Sequence, residues 1–183
     1  MYEWGGTLVH AIVAVVLVFA LVGGIFRVEG RSMDPTLHDG EMMLISRLFY
    51  TPKPGDIVVF SKMGYYNGHG GYIDEKTGRE SPLVKRVIAV GGDTVRIDYD
   101  ENAVYVNKIK LDEDYLPDGL QMIARGASEF ETDVSPGCVF VLGDNRNNSE
   151  DSRVMWIGEV DTRYILGRLL LRVAPLNRFG TVT

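Results

Sequence analysis

Residues 83–98 read LVKRVIAVGGDTVRID, and this stretch indicates the fold class. Leu83–Val90 and Thr94–Asp98 are short runs rich in β-branched residues, and the Gly91-Gly92-Asp93 sequence between them is a turn signal. Short strands at this spacing are typical of all-β domains, and not of the repeated strand–helix–strand units of a parallel sheet. The stretch therefore predicts two strands of a mostly β domain.

Similar apolar runs, separated by Gly, Pro and Asp, continue on both sides of this stretch. Two intervening segments are polar: residues 63–82 are predicted to form an exposed loop or hairpin, and residues 97–136 a smaller lobe. We therefore predict one β-rich domain over residues 27–183. Its further strands are predicted at Glu41–Ser46, Asp56–Phe60, Ala103–Val106, Cys138–Leu142 and Tyr164–Val173.

A long apolar segment precedes this domain. No Lys, Arg, Asp or Glu occurs from Trp4 to Phe26. A helix of that length spans roughly 34 Å at ~1.5 Å per residue, enough for a ~30 Å hydrocarbon core. A buried core helix usually shows one polar face, and a signal peptide has a basic start that MYEWGG lacks. We therefore predict a short tail at residues 1–6 and a transmembrane anchor at residues 7–26.

Composition narrows the classes of function. The 183 residues carry a formal net charge of −6, which argues against nucleic acid as a partner because phosphate binding needs an excess of basic residues. The single cysteine, Cys138, excludes a disulfide framework and a cysteine-cluster zinc site. His10, His38 and His69 lie far apart and show no metal-ligand spacing, so we expect no metal.

The segment GRSMDPTL, Gly30–Leu37, contains a candidate nucleophile. Ser32 lies in a short stretch restricted by Gly30 and Pro35. A nucleophilic serine needs an exposed hydroxyl on a constrained turn and a base that removes its proton. A serine in an ordinary solvent-facing turn has the same local sequence, so Ser32 alone is a weak signal.

Lys85 is the candidate base. Alternation along its strand puts Lys85 on one face with Val87 and Ala89, and puts Arg86 and Ile88 on the other. A lysine here either keeps its ammonium in water as an edge-strand charge or is buried among its apolar neighbours. Burial lowers a lysine pKa from ~10.4 by roughly 2–3 units, which leaves a general base with a pKa near ~8.

The segment GDNRNNSEDSR, Gly143–Arg153, places acids, amides and arginines directly after the apolar run Cys138–Leu142. Loops rich in Asn, Asp and Ser usually mean only turns. Two arginines this close to two aspartates can instead form salt bridges that orient a site.

Taken together, these segments resemble one family, the type I signal peptidases. These are membrane-bound Ser/Lys endopeptidases that remove signal peptides from exported proteins. The resemblance implies an N-terminal transmembrane helix, an antiparallel β-sheet catalytic domain and a smaller inserted β lobe, as in the short forms of Gram-positive bacteria. After the anchor, the matching motifs are G-x-S-M-x-P-T-L at Gly30–Leu37, G-D-I-V-V-F at Gly55–Phe60, K-R-V-I-x-x-x-G-D at Lys85–Asp93 and G-D-N-R-x-N-S-x-D-S-R at Gly143–Arg153.

By this resemblance Ser32 is the nucleophile and Lys85 the general base, and Ser149 holds the Lys85 amine toward Ser32. The backbone N–H of Ser32 is expected to donate to the oxyanion. Some members carry a second donor, a hydroxyl, two residues before the nucleophile. That position is Gly30 here, so the second donor is either missing or comes from elsewhere. The resemblance implies no cofactor.

The resemblance also implies two supporting ion pairs. Asp151 would pair with Arg153 on the lysine side, and Asp144 with Arg86 on the opposite face of the strand. Asn147 stands where the family often has Asp, and we expect from it a local rearrangement without loss of the dyad.

The family prefers small residues at positions −1 and −3 of the cleaved bond, as in Ala-x-Ala. The candidates to line this substrate pocket are Val28, Met33 and Val84. Either an apolar rim that dips into the membrane interface or buried packing is expected for Met33, Met155, Trp156 and Ile157.

The implied partners are the signal peptides of preproteins, the lipid bilayer and nearby protein-export machinery. The family has its catalytic domain on the extracellular side of the cytoplasmic membrane. By contrast, Arg27 and Arg31 after the segment and Glu3 before it favour the cytoplasm under the positive-inside rule. We give the resemblance more weight because only two arginines oppose it.

Other interpretations are weaker. His38 is a rival base, since some relatives use His in place of Lys. A self-cleaving repressor needs a basic DNA-binding surface, and the S-x-x-K motif of penicillin-binding enzymes is excluded because Pro35 follows Ser32 by three residues. The alternative function is a catalytically inactive membrane-anchored β domain that acts as an assembly or chaperone partner; the presence of Ser32, Lys85 and Ser149 argues against it.

Overall fold

A computed structural model describes residues 6–13, 23–46, 50–61, 82–124 and 126–182. Residues 6–13 are helical, and the rest of this part is built mainly from β-strands, which confirms the predicted mostly β class. The strands are β1 (Gly23–Arg27), β2 (Met42–Ser46), β3 (Ile57–Phe60), β4 (Leu83–Val90), β5 (Thr94–Asp98), β6 (Ala103–Val106), β7 (Ile109–Lys110), β8 (Glu129–Asp133), β9 (Cys138–Leu142), β10 (Val160–Asp161) and β11 (Ile165–Ala174).

The larger sheet has seven antiparallel strands in the order β1-β2-β11-β3-β4-β9-β10. β4 pairs with β3 on one side and with β9 on the other. All of β3 and the interior of β4 are buried, which is why both strands have almost continuous apolar sequences. The strand that carries Lys85 is thus covered on both faces.

The smaller sheet has the order β7-β6-β5-β8 and is also antiparallel. β4 leads into it through the predicted Gly91-Gly92-Asp93 turn, where Gly92 has a φ of 98°, a value that favours glycine. The smaller lobe predicted over residues 97–136 corresponds to this sheet, whose strands run from Thr94 to Asp133.

A shared core joins the two sheets at the end of β4. The ring of Phe130 on β8 lies 5.8 Å, centroid to centroid, from that of Phe140 on β9. Burial of this continuous apolar surface holds the smaller sheet against the larger one. The cluster includes Ile88, Ala89, Val95, Ile97, Val104, Phe140 and Leu142.

The side-chain alternation of β4 is interrupted after Val87. The pairing of β4 with β9 shifts register between Val87 and Ala89, which is a β-bulge. Ile88 and Ala89 therefore pack in the same cluster, and the predicted alternation is wrong beyond Val87. Lys85 and Arg86 precede the bulge and contact different partners, as the prediction requires.

The anchor predicted at residues 7–26 is too long at its C-terminal end. Gly23–Arg27 is strand β1, which pairs with β2 along its whole length and packs Phe26 against the core. Residues 14–22 of the predicted anchor, and the predicted loop at 63–82 apart from Pro82, lie outside the described residues. Within the described part of the chain, no helix has the length and apolar character needed to cross a bilayer.

Candidate active site

Ser32 lies in a turn that follows β1. The N–H of Leu37 donates to the carbonyl of Met33 at 2.9 Å, which closes the turn after the serine. The side chains of Met33 and Leu37 are buried in the core beneath it, whereas Ser32 stays partly exposed. Core packing therefore fixes the backbone of the turn and leaves the serine hydroxyl accessible, as a nucleophile requires.

Lys85 reaches Ser32 from the buried middle of β4. Its Nζ lies 2.8 Å from Ser32 Oγ and donates to the Val84 carbonyl at 2.9 Å. The residue is only 2% exposed, and this burial lowers the amine's pKa from 10.5 to about 8, although the carboxylates of Asp151, Glu150 and Asp144 act in the opposite direction. At pH 7 about one lysine in ten is then neutral and able to accept a proton.

The loop after β9 holds the backbone of the turn that carries Ser32, the candidate nucleophile (hereafter the nucleophile turn). The N–H of Asn145 donates to the Ser32 carbonyl at 3.0 Å, and the Asn145 side-chain amide donates to the Arg31 carbonyl at 2.9 Å. The sequence alone predicts no role for Asn145. The only sequence signal for this role is the place of Asn145 inside the G-D-N motif. A hydrogen bond from its amide to a carbonyl that is distant in sequence produces no recognisable sequence pattern.

Gly143 brings this loop close to both Ser32 and Ser149. A Cβ at position 143 would lie 2.1 Å from Ser149 Oγ and 2.5 Å from the Ser32 carbonyl oxygen. No side chain fits at such distances, so the close approach requires glycine. Ser149 is buried here and hydrogen-bonds the Asp151 carboxylate; that it also holds Lys85 stays a prediction.

Both ion pairs expected from the sequence are present and buried. Arg86 donates Nε and Nη2 to the two oxygens of Asp144 at 2.9 and 2.8 Å. Arg153 donates the same two groups to Asp151, each at 2.7 Å. Burial raises the pKa of Asp151, but Arg153, the N–H of Gly143 and the Ser149 hydroxyl together outweigh it and lower that pKa below its usual value.

Two further residues contact the Arg86–Asp144 pair. The Thr36 hydroxyl donates to Asp144 at 2.5 Å, which links the nucleophile turn to the pair. The ring of Tyr115, from the smaller lobe, stacks on the Arg86 guanidinium at 3.8 Å. Thr36 lies inside a quoted motif, but nothing in the polar sequence around Tyr115 singles it out.

Asn147 binds an extended segment of the smaller lobe. Its side-chain amide donates to the Gln121 carbonyl, and its side-chain oxygen accepts from the N–H of Ile123, each at 2.8 Å. An aspartate could not donate the first of these bonds. The Ser32–Lys85 contact is intact beside this arrangement.

The residues predicted to form the substrate pocket or the apolar rim differ in how far they are buried. Val28, Met33 and Val84 pack in one cluster of the core, so their role in substrate binding stays a prediction. Met33 and Ile157 are buried and do not form an exposed rim, Trp156 is partly buried, and Met155 is 97% exposed. The rival base His38 is exposed and lies near Asp34, with 3.7 Å between Nδ1 and Oδ1.

Comparison with known proteins places these features in context. The family model described as "Signal peptidase, peptidase S26" matches residues 1–174. Signal peptidase I of Bacillus caldolyticus is 36% identical over 165 residues, which cover 84% of this chain and 80% of that protein. Signal peptidase I of Bacillus licheniformis is 33% identical over 185 residues, which cover 97% of this chain and 90% of that protein. A crystal structure of a signal peptidase I from Enterococcus faecalis V583 aligns with 66% of this chain and 97% of that chain, with 27% identity and a TM-score of 0.46.

Proposed function

Since this chain belongs to the signal peptidase family, peptidase S26, we propose that it removes signal peptides with Ser32 as nucleophile and Lys85 as general base. The enzyme is a type I signal peptidase, a serine endopeptidase that hydrolyses a peptide bond. The observation that carries the proposal is the 2.8 Å approach of Lys85 Nζ to Ser32 Oγ within a buried site.

The chemistry follows from this pair of atoms. The neutral Lys85 amine takes the proton of the Ser32 hydroxyl as Oγ attacks the scissile carbonyl, and the resulting ammonium then protonates the leaving amine. Water hydrolyses the acyl-enzyme with Lys85 again as the base. The Ser32 N–H donates to the oxyanion. The Ser149 hydroxyl is expected to hold the Lys85 amine in place.

The surrounding residues position this pair. Asn145 and Thr36 hold the turn that carries Ser32, while the Asp151–Arg153 and Asp144–Arg86 pairs supply the fixed frame. Because both ion pairs are buried and the turn is hydrogen-bonded to Asp144 and Asn145, the dyad is preorganised before substrate arrives.

The substrate is a preprotein cut after a small residue, with small residues at positions −1 and −3. Val28 and Val84 flank the dyad in sequence and pack with Met33 in one buried cluster of the core. We expect this cluster to supply the apolar wall of the substrate pocket. A wall of close-packed side chains leaves room for shallow pockets only, which favours Ala over larger residues.

The apolar run before β1 anchors the enzyme in the cytoplasmic membrane, with the catalytic domain on the extracellular side near the export machinery. Residues 4–22 include no Lys, Arg, Asp or Glu, and as a helix they would span roughly 28 Å, close to the ~30 Å core. A signal peptide held in the same bilayer meets the site at reduced entropic cost.

The test is cleavage of a preprotein in detergent by the full chain. We expect one cut after a small residue, and a loss of at least roughly 10²-fold in rate for Ser32→Ala and for Lys85→Ala, because each removes a reacting group. The exposed residues Ser128 and Lys53 supply matched controls, Ser128→Ala and Lys53→Ala, which should cleave normally. Cleavage by either dyad variant refutes the assignment, and a folded but inert wild-type chain favours the assembly-partner alternative.

A further inference from the structure

A buried carboxylate joins the nucleophile turn to the end of the chain. Glu41 is 3% exposed and lies between two arginines that follow the catalytic motifs in sequence. Arg172, on β11, has its Nε 2.9 Å from Glu41 Oε2 as an ion pair, and Arg178 donates Nη1 to Glu41 Oε1 at 2.6 Å. A buried carboxylate is stable only when it is paired in this way.

This triad contacts the turn that carries Ser32. Arg172 donates Nη2 to the Thr36 carbonyl at 2.7 Å, and the N–H of His38 donates to Glu41 at 3.2 Å. The side chain of Thr36 is bonded on its other side to Asp144. Thr36 is thus held between the catalytic loop and the C-terminal part of the chain, four residues after the nucleophile.

We propose that Arg172 is a positioning residue for the cleavage reaction, oriented by Glu41 and by Arg178 in the short 3-10 helix Leu176–Arg178. The proposal rests on the proposed function of Ser32 and Lys85. Arg172 fixes the Thr36 carbonyl through a hydrogen bond. This bond holds the turn in the position that places Ser32 Oγ next to Lys85 Nζ. Without the Arg172 donor, the Thr36 carbonyl has to hydrogen-bond water instead, and the turn moves away from Lys85.

The same strand offers a matched control. Arg168 also lies on β11 and pairs with a carboxylate, Asp56, at 3.2 Å. Asp56 is bonded to Tyr50 and to the N–H of Lys53, not to the nucleophile turn. Loss of either arginine removes one ion pair from the strand, but only Arg172 touches the turn.

The experiment compares Arg172→Gln with Arg168→Gln in the full chain, using a preprotein in detergent and rates corrected for the folded fraction. We expect Arg172→Gln to lower kcat by roughly 10- to 100-fold, with KM changed by less than about twofold, because the turn is displaced while the substrate pocket is not. Arg168→Gln should keep the wild-type kcat. The pH at which the rate rises should be the same in both variants, since neither alters the burial of Lys85.

Two further variants keep the proposal falsifiable if Arg172→Gln does not fold. Arg172→Lys keeps a charge for Glu41 but replaces the two nitrogens that face Glu41 and the Thr36 carbonyl with one, so it should recover stability more than kcat. Arg178→Gln removes one partner of Glu41 and should lower kcat several-fold. A wild-type kcat in these variants overturns the proposal, provided Ser32→Ala and Lys85→Ala are inactive; activity in those two would instead overturn the dyad.

Discussion

Burial of Lys85 costs the folded protein stability at neutral pH and favours the neutral form of the amine. Burial disfavours its charged form, so the pKa falls from 10.5 to about 8 in the folded chain. The unfolded chain therefore binds more protons between these two values, and this group makes the protein more stable as pH rises from about 8 to about 10.5. At neutral pH the fold bears the full cost of the buried ammonium, and the lowered pKa suits the proposed role of Lys85 as the base.

Cleavage should depend on pH through the protonation of Lys85. We expect kcat/KM to rise with a midpoint near pH 8 as Lys85 loses its proton, because only the neutral amine can activate Ser32. The measurement is kcat/KM on a short signal-peptide substrate from about pH 6 to about pH 10. His38→Gln is the control and should leave the profile unmoved. A lower midpoint that disappears in His38→Gln would identify the histidine as the base.

At the scale of elements, the site depends on two segments that meet without regular secondary structure. The turn after β1 and the loop after β9 bind each other through backbone groups of Ser32 and Asn145. Gly143 permits their approach, since even one methyl group there would overlap Ser149 and the Ser32 carbonyl. The rigid sheet fixes the position of Lys85 on β4, and these two segments bring Ser32 to it.

Gly143→Ala should lower the turnover of folded enzyme by roughly 10²-fold, because the added Cβ separates the loop from the nucleophile turn. Gly167→Ala is the matched control. Its Cβ would lie 2.4 Å from the Ser46 carbonyl, between β11 and β2 and away from the dyad. The control should unfold at lower denaturant concentration while turnover per folded molecule is kept. Equal turnover in Gly143→Ala and wild type would show that the loop approach is not needed for cleavage.

Across the whole molecule, the smaller lobe is bonded to the catalytic frame through arginines. Tyr115 stacks on Arg86, and Glu113 forms an ion pair with Arg146, whose side chain is fully buried. Arg146 also donates to the Tyr115 hydroxyl at 3.2 Å, and its carbonyl accepts from Arg153 at 2.6 Å. The two sheets therefore share charged contacts in addition to their apolar core.

Glu113→Gln should destabilise the folded protein by about 3 kcal/mol, because it leaves the Arg146 guanidinium buried without a full counter-charge. Urea unfolding of the full chain measures this. Glu129→Gln is the control, since Glu129 pairs with Arg96 at an exposed site, where solvent screens the pair, and its loss should cost much less stability. Equal costs for the two substitutions would mean that the buried pair does not hold the lobes together.

The sequence by itself determined the β class, the family and most strand positions. The bounds of β4, β5, β6 and β9 agree with those predicted. Apolar runs and glycine turns are patterns of consecutive residues, so they can be recognised in the sequence without knowledge of the fold. The predicted anchor extends too far, into residues 23–26, for the same reason. Gly23–Phe26 is apolar and suits a helix or a strand equally well until pairing with β2 selects the strand.

Only the tertiary structure decided how the site is assembled. Ser32 and Lys85 are 53 residues apart, and the Thr36 carbonyl meets Arg172 from 136 residues away. Motifs nominated the dyad, but no local pattern encodes the burial that lowers the pKa of Lys85, or a hydrogen bond to a distant carbonyl. Those depend on which surfaces the sheet brings together, and that is a property of the packed chain as a whole.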